Sequence, residues 1–90
     1  MLSQKVIEDR MLELSNLASD LLVGLSCLDI PEVEYQARML KELAVEYASP
    51  SLAITAHAIE KAAARGDLDS AEIIIPELHE RLQQAALLMR

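Results

Sequence analysis

The sequence predicts an all-α fold, an antiparallel up-down-up-down four-helix bundle. Three observations predict it. Apolar residues make up 52% of the 90-residue chain, yet Phe and Trp are absent. The core is therefore built from Leu, Ile, Val, Met and Ala, mostly good helix formers. No stretch alternates apolar and polar residues in the manner of a half-buried strand. Four amphipathic segments are separated by only three short breaks, and short connections set consecutive helices side by side in opposite directions. Ninety residues suffice for one modest core, so residues 1–90 are expected to form a single domain.

The first helix is predicted from Ser3 or Gln4 to about Ser26. Ile7, Met11, Leu14, Ala18, Leu21 and Leu25 recur at alternating steps of four and three, and Leu17 and Leu22 widen the stripe. Glu8, Asp9, Glu13 and Asp20 lie largely outside it. The stripe reads as the core face of a bundle. The same spacing is also a heptad pattern, so a coiled-coil seam stays open as its other use. A monomer, or a weak homodimer through helix 1, is accordingly expected. The acidic outer face does not suit an anionic membrane surface.

Leu28-Asp29-Ile30-Pro31 breaks this helix. Asp29 or Ile30 ends the turn, and Pro31 suits a first helical position, where no N–H is needed. Glu32 and Glu34 favour the positive end of the next helix. That second helix is predicted from Pro31 to about Tyr47, with Val33, Ala37, Leu40, Ala44 and Tyr47 as its buried stripe. At about 100° per residue, Glu34, Arg38, Lys41 and Val45 gather on the adjoining flank, with Glu42 further round. Arg38 is therefore expected to be at least partly exposed.

Ser49 suits an N-cap and Pro50 the first position of a third helix that runs to about Arg65. Leu52, Ala56, Ile59 and Ala63 form its inner face, with Thr55 and Ala62 beside them. So many alanines imply a closely approaching neighbour. Gly66 suits a left-handed C′ position. Asp69 and Glu72 have capping-box spacing, and the fourth helix is predicted from about Ser70 to Met89. Its stripe is Ala71, Ile75, Leu78, Leu82, Ala85 and Met89. Pro76 inside it removes one hydrogen bond and is expected to bend the helix or to mark a late start.

The formal net charge is −7 with no basic stripe, so nucleic acid is not an expected partner. The single Cys27 cannot form an internal disulfide. That suits a reducing cytoplasm, and the residue reads as a small apolar filler near a helix end. No apolar run approaches the length of a membrane span, and no signal segment opens the sequence. A cytosolic protein is expected, either complete or one excised domain. No nucleophile–base pair, glycine-rich phosphate loop or paired-carboxylate motif is visible. His57, His79 and Cys27 share no i,i+4 ligand spacing. Catalysis, a metal and a cofactor are therefore not expected.

One stretch of the second helix, Ala37-Arg38-Met39-Leu40-Lys41-Glu42, resembles the phosphorylation-site motif of histidine phosphotransfer (HPt) domains, Ala-His-x-Leu-Lys-Gly. Ala37, Leu40 and Lys41 match. Arg38 stands where the family has histidine, and Glu42 where it has glycine. Ala56-His57-Ala58-Ile59-Glu60-Lys61-Ala62-Ala63, followed by Arg65-Gly66-Asp67-Leu68, is similar to the family's third helix and its turn. Ser51-Leu52-Ala53 falls in the post-motif segment, and Leu25 to Ala44 fits the approach to the motif without a gap. The resemblance covers Leu25 to Leu82 and implies an HPt-like bundle.

In that family the histidine projects from the bundle surface. It accepts a phosphoryl group from a receiver-domain aspartate and passes it to another. The chemistry needs a neutral imidazole nitrogen and a nearby cation. Lys41 can serve as the cation. Arg38 cannot serve as the nucleophile, because its guanidinium stays protonated and has no free lone pair. Glu42 adds bulk and negative charge where the receiver would dock. The resemblance thus implies a degenerate member of a two-component phosphorelay that binds a response-regulator receiver domain or a histidine kinase. Its partner-binding residues would be Glu34, Arg38, Lys41, Glu42 and Val45. Arg38 would pair with the carboxylates of an unphosphorylated receiver, or with Glu34 or Glu42 at four-residue spacing. Two other readings stay open. One is an all-α interaction or homodimerisation module unrelated to phosphorelays. The other is phosphotransfer through another histidine, either His57, outward on the third helix near Lys61, or His79 on the flank of the fourth.

Overall fold

Ser3 opens the first helix. Its hydroxyl accepts the Val6 amide at 3.2 Å, which satisfies one of the amides a helix start leaves without a partner. The computed structural model describes residues 3–89. They form α1 (Gln4–Ser26), α2 (Ile30–Glu46), α3 (Pro50–Ala64) and α4 (Leu68–Leu88), with no strand among the described residues. The body measures 40 × 19 × 19 Å and is consistent with a four-helix bundle. No described helix is long and apolar enough to cross a membrane.

Three residues separate each helix from the next, and the three turns are built alike. Leu28, Ala48 and Gly66 take the left-handed conformation, with φ of 55°, 56° and 74°. Their amides bond the carbonyls of Leu25, Val45 and Ala63. The following amides, of Asp29, Ser49 and Asp67, reach back to Gly24, Ala44 and Ala62 at 2.8–2.9 Å. This paired pattern is the Schellman ending of a helix. The residue that closes one helix is also the N-cap position of the next. Asp29 and Asp67 accept the amides of Glu32 and Ser70. Ser49 holds its N-cap position without a side-chain cap bond, and it is buried.

Several expectations change here. The fourth helix begins at Leu68, and its cap is Asp67 rather than the Asp69–Glu72 pair. The reason is the turn at Gly66, which delivers Asp67 to the cap position two residues earlier. The Asp67 carboxylate accepts the Ser70 hydroxyl at 2.6 Å and the Ser70 amide at 3.1 Å. Those two bonds, the hydroxyl first, hold its carboxyl below the usual range. Pro76 does not mark a late start, since α4 runs unbroken through it. Pro76 is exposed, so the hydrogen bond it removes lies on the side where water can reach the freed carbonyl. Cys27 is the exposed C-cap of α1 and fills no core space, because the chain has already left the buried stripe at Leu25.

All four helices feed one core, whose largest fully buried side chains include Leu14, Leu21, Leu40, Leu52, Ile59 and Leu78. Burying each such side chain contributes about 1.5–3 kcal/mol. Ala37, Ala44, Ala56 and Ala63 are wholly buried and let α2 and α3 pack more closely than any other pair. Ile7, Leu14, Ala18 and Leu21 are buried inside the chain's own body. The helix 1 stripe is therefore core, and it cannot also be the seam of a homodimer. Gly24 is buried where α1 meets the start of α2; a Cβ there would stand 3.1 Å from Val33 Cγ2. At the other end of α2, the Tyr47 hydroxyl donates to Glu13 at 3.1 Å, and the Arg10 guanidinium lies 4.5 Å from the Tyr47 ring centre.

Candidate functional site

The flank predicted on helix 2 is a surface flank. Glu34, Arg38, Lys41 and Val45 recur at steps of four, three and four along α2, one side of three helical turns. The Arg38 side chain is 45% exposed, and Val45 and Glu42 are exposed. Lys41 and Glu34 are half-buried, because they lie on the side where α3 packs.

What organises these side chains is a residue on the other helix. Glu60 of α3 keeps only 14% of its side chain exposed. Arg38 Nε donates to its Oε2 at 3.0 Å, and Lys41 Nζ donates to its Oε1 at 2.8 Å. His57 Nδ1, one turn earlier on α3, lies 3.3 Å from the same Oε1. Arg38 Nη2 donates to Glu34 Oε1 at 3.0 Å. One carboxylate therefore gathers two cations and an imidazole from two helices, and a second carboxylate holds Arg38 from its own helix.

The electrostatics follow from that geometry. Burial pushes the Glu60 carboxyl up, but hydrogen bonds from Lys41, Arg38 and His57, with the Lys41 charge, outweigh it and hold the group at about 2. Arg38 answers in kind: its hydrogen bond to Glu60, opposed by burial and helped by the charges of Glu60, Glu34 and Glu42, raises it above its ordinary value. A guanidinium held so cannot act as a nucleophile at any usable pH.

Among the described residues Arg38 makes no ion pair with Glu42, which acts on it only through its charge. Of the two local partners expected, Glu34 is the one used. Glu60 was not among the expected site residues. It is the sole carboxylate of the third helix, flanked by His57 and Lys61, and that isolation is the signal that marks it. His57 is exposed as expected, and its Nδ1 lies 3.3 Å from Glu60 Oε1. His79 is exposed on α4 and takes no part in the cluster. Among the described residues no group of three His, Cys, Asp or Glu side chains is placed to hold a metal ion.

Arg38, Lys41, Lys61 and Arg65 are four of the eight Lys and Arg residues in a chain of net charge −7, and all four lie on α2 or α3 or at the end of α3. Such an arrangement can pair with carboxylates from another molecule. It holds no group that can take a phosphoryl at position 38. Comparison of the chain with protein-family models, with curated proteins and with solved structures finds no match in any of the three.

Proposed function

We propose that the protein is a pseudo-histidine-phosphotransfer domain, an antiparallel up-down-up-down bundle that serves two-component signalling by binding. It docks on the acidic face of a response-regulator receiver domain and occupies the surface an active phosphotransfer domain would use. It carries no phosphate and catalyses nothing. The observation that carries the reading is Arg38, exposed at the motif position with Lys41 one turn on, in a chain of net charge −7. Glu34, Arg38, Lys41 and Val45 form the centre of the contact, and Glu42 lies at its edge.

Affinity capture from the source organism tests it, with wild-type and Arg38→Glu protein side by side after circular dichroism shows both folded. Receiver-domain proteins enriched by wild type and lost in the variant are the expected result. Enrichment of a histidine kinase instead would move the docking partner within the same pathway. Recovery of neither class would remove the phosphorelay reading.

A self-association module is the second reading, and one observation favours it. Leu12 and Val23 stand exposed on the outer side of α1, three turns apart on one stripe. A dimer in sedimentation velocity that Leu12→Glu dissociates would support it. Phosphotransfer through His57 is the third and the least favoured. A phosphoryl group on that ring would meet the charge of Glu60, whose carboxylate lies 3.3 Å from Nδ1.

A further inference from the structure

We propose that Glu60 is a built-in competitor for the partner's carboxylates: it ties Arg38 and Lys41 down across α2 and α3, and a receiver's acidic cluster displaces it to take the Nε–Nη2 edge of Arg38. The inference rests on the docking reading above and adds how that contact is held in check.

The bonding pattern argues for it. A guanidinium takes a carboxylate most strongly along an edge, with two parallel N–H donors. The Nε–Nη2 edge of Arg38 is divided between Glu60 and Glu34, so an incoming carboxylate can take Arg38 along that edge only by displacing Glu60. Lys41 gives a hydrogen bond at 2.8 Å to the same Glu60. Docking along that edge therefore exchanges one carboxylate for another. Bonds of one kind replace bonds of the same kind, and the net gain is small. That exchange also selects among partners. A surface offering one carboxylate merely replaces Glu60 and gains nothing. A surface offering a cluster satisfies Arg38 and Lys41 together and leaves Glu60 to His57, which already lies 3.3 Å away. The competitor is well placed for its task because it is firmly held as an anion and mostly covered, whereas Arg38 is half in solvent and can swing outward.

The test uses a panel of the source organism's receiver domains, purified and free of phosphate, in isothermal titration calorimetry. The titrants are wild type, Glu60→Gln and the double variant Arg38→Glu/Glu60→Gln. A receiver that binds wild type should bind Glu60→Gln about tenfold tighter, the worth of one released charge-assisted hydrogen bond, and the double variant should lose that gain. In wild type, the Glu60 side-chain carboxyl carbon should shift toward the position of a free glutamate when the receiver is added. That NMR reading needs no variant and decides the matter if Glu60→Gln does not fold. Equal or weaker binding by folded Glu60→Gln, or a carboxyl signal unmoved in the complex, overturns the proposal and leaves docking intact. A panel in which no receiver binds wild type or Glu60→Gln overturns both.

Discussion

Glu60 takes up a proton only in strong acid, and this links the fold to pH. Its folded value of about 2 lies below the ordinary glutamate value of about 4.3. As pH falls, the unfolded chain is protonated first. The contribution of the carboxylate is complete above about pH 5 and is lost on the way down to pH 2. A shift of that size would correspond to about 3 kcal/mol in a dry site. Arg38 is half in water, so screening reduces the expected contribution to about 1–2 kcal/mol. Glu60→Gln should lose that much stability at pH 7, measured by urea unfolding. At pH 2.5 the two proteins should differ little, and a gap that persists there would show that the charge is not the cause. The Glu34–Arg38–Lys41–Val45 flank was legible from the 100° step of a helix alone. Glu60 was not, because Lys41 and Glu60 are 19 residues apart. Their meeting depends on the register of α2 against α3, which alanine packing sets and a one-helix periodicity does not contain.

The turns are the instructive elements. Gly66 could be read from the sequence because glycine enters the left-handed region without steric cost. Leu28 and Ala48 adopt the same conformation at φ of 55° and 56°, where a Cβ costs about 1–2 kcal/mol. Nothing in their residue type signals it; the demand comes from the amides of Asp29 and Ser49, which must reach back to Gly24 and Ala44. Ala48→Gly should therefore raise stability by about 1 kcal/mol, and Gly66→Ala should lower it by about the same. Thermal unfolding of both variants checks this, and shifts of like sign would contradict it. Recognising a helix end by glycine alone also explains the displaced start of α4. Asp69 had the better spacing to an acidic partner, but Asp67 is the residue that the Gly66 turn leaves at the cap.

At the scale of the whole molecule, stability is unevenly shared. Of the four helix pairs that pack side by side, α2–α3 packs closest and α1–α4 least. Between the end of α1 and the start of α4 runs an open cleft of about 540 Å³, lined by Leu22, Leu25, Ser26, Glu72, Ile75 and Pro76. Regions with fewer buried apolar contacts open at lower free energy than the molecule as a whole. Amide hydrogen exchange should accordingly be slowest at Leu40 and Ile59 and faster around Leu25 and Glu72. Equal protection in the two regions would show that the closing pair is as firm as the central one. The number of helices was legible because each has an uninterrupted apolar stripe. What covers each stripe was not. The α1 pattern serves a core and a dimer seam equally well, and only the burial of Leu14 and Leu21 distinguishes the two.

The doubled duty of Asp29, Ser49 and Asp67 bears on how this chain can change its length. Each of these residues closes one helix and opens the next, so none of the three turns contains a spare residue. An insertion there separates the two duties and disrupts two helix ends together, whereas most proteins accept added residues in their connecting loops. Between Gln4 and Leu88 the chain likewise offers a protease no extended segment, so a cut requires a helix end to unwind first. Guest peptides and affinity labels therefore have no internal place of attachment in this fold.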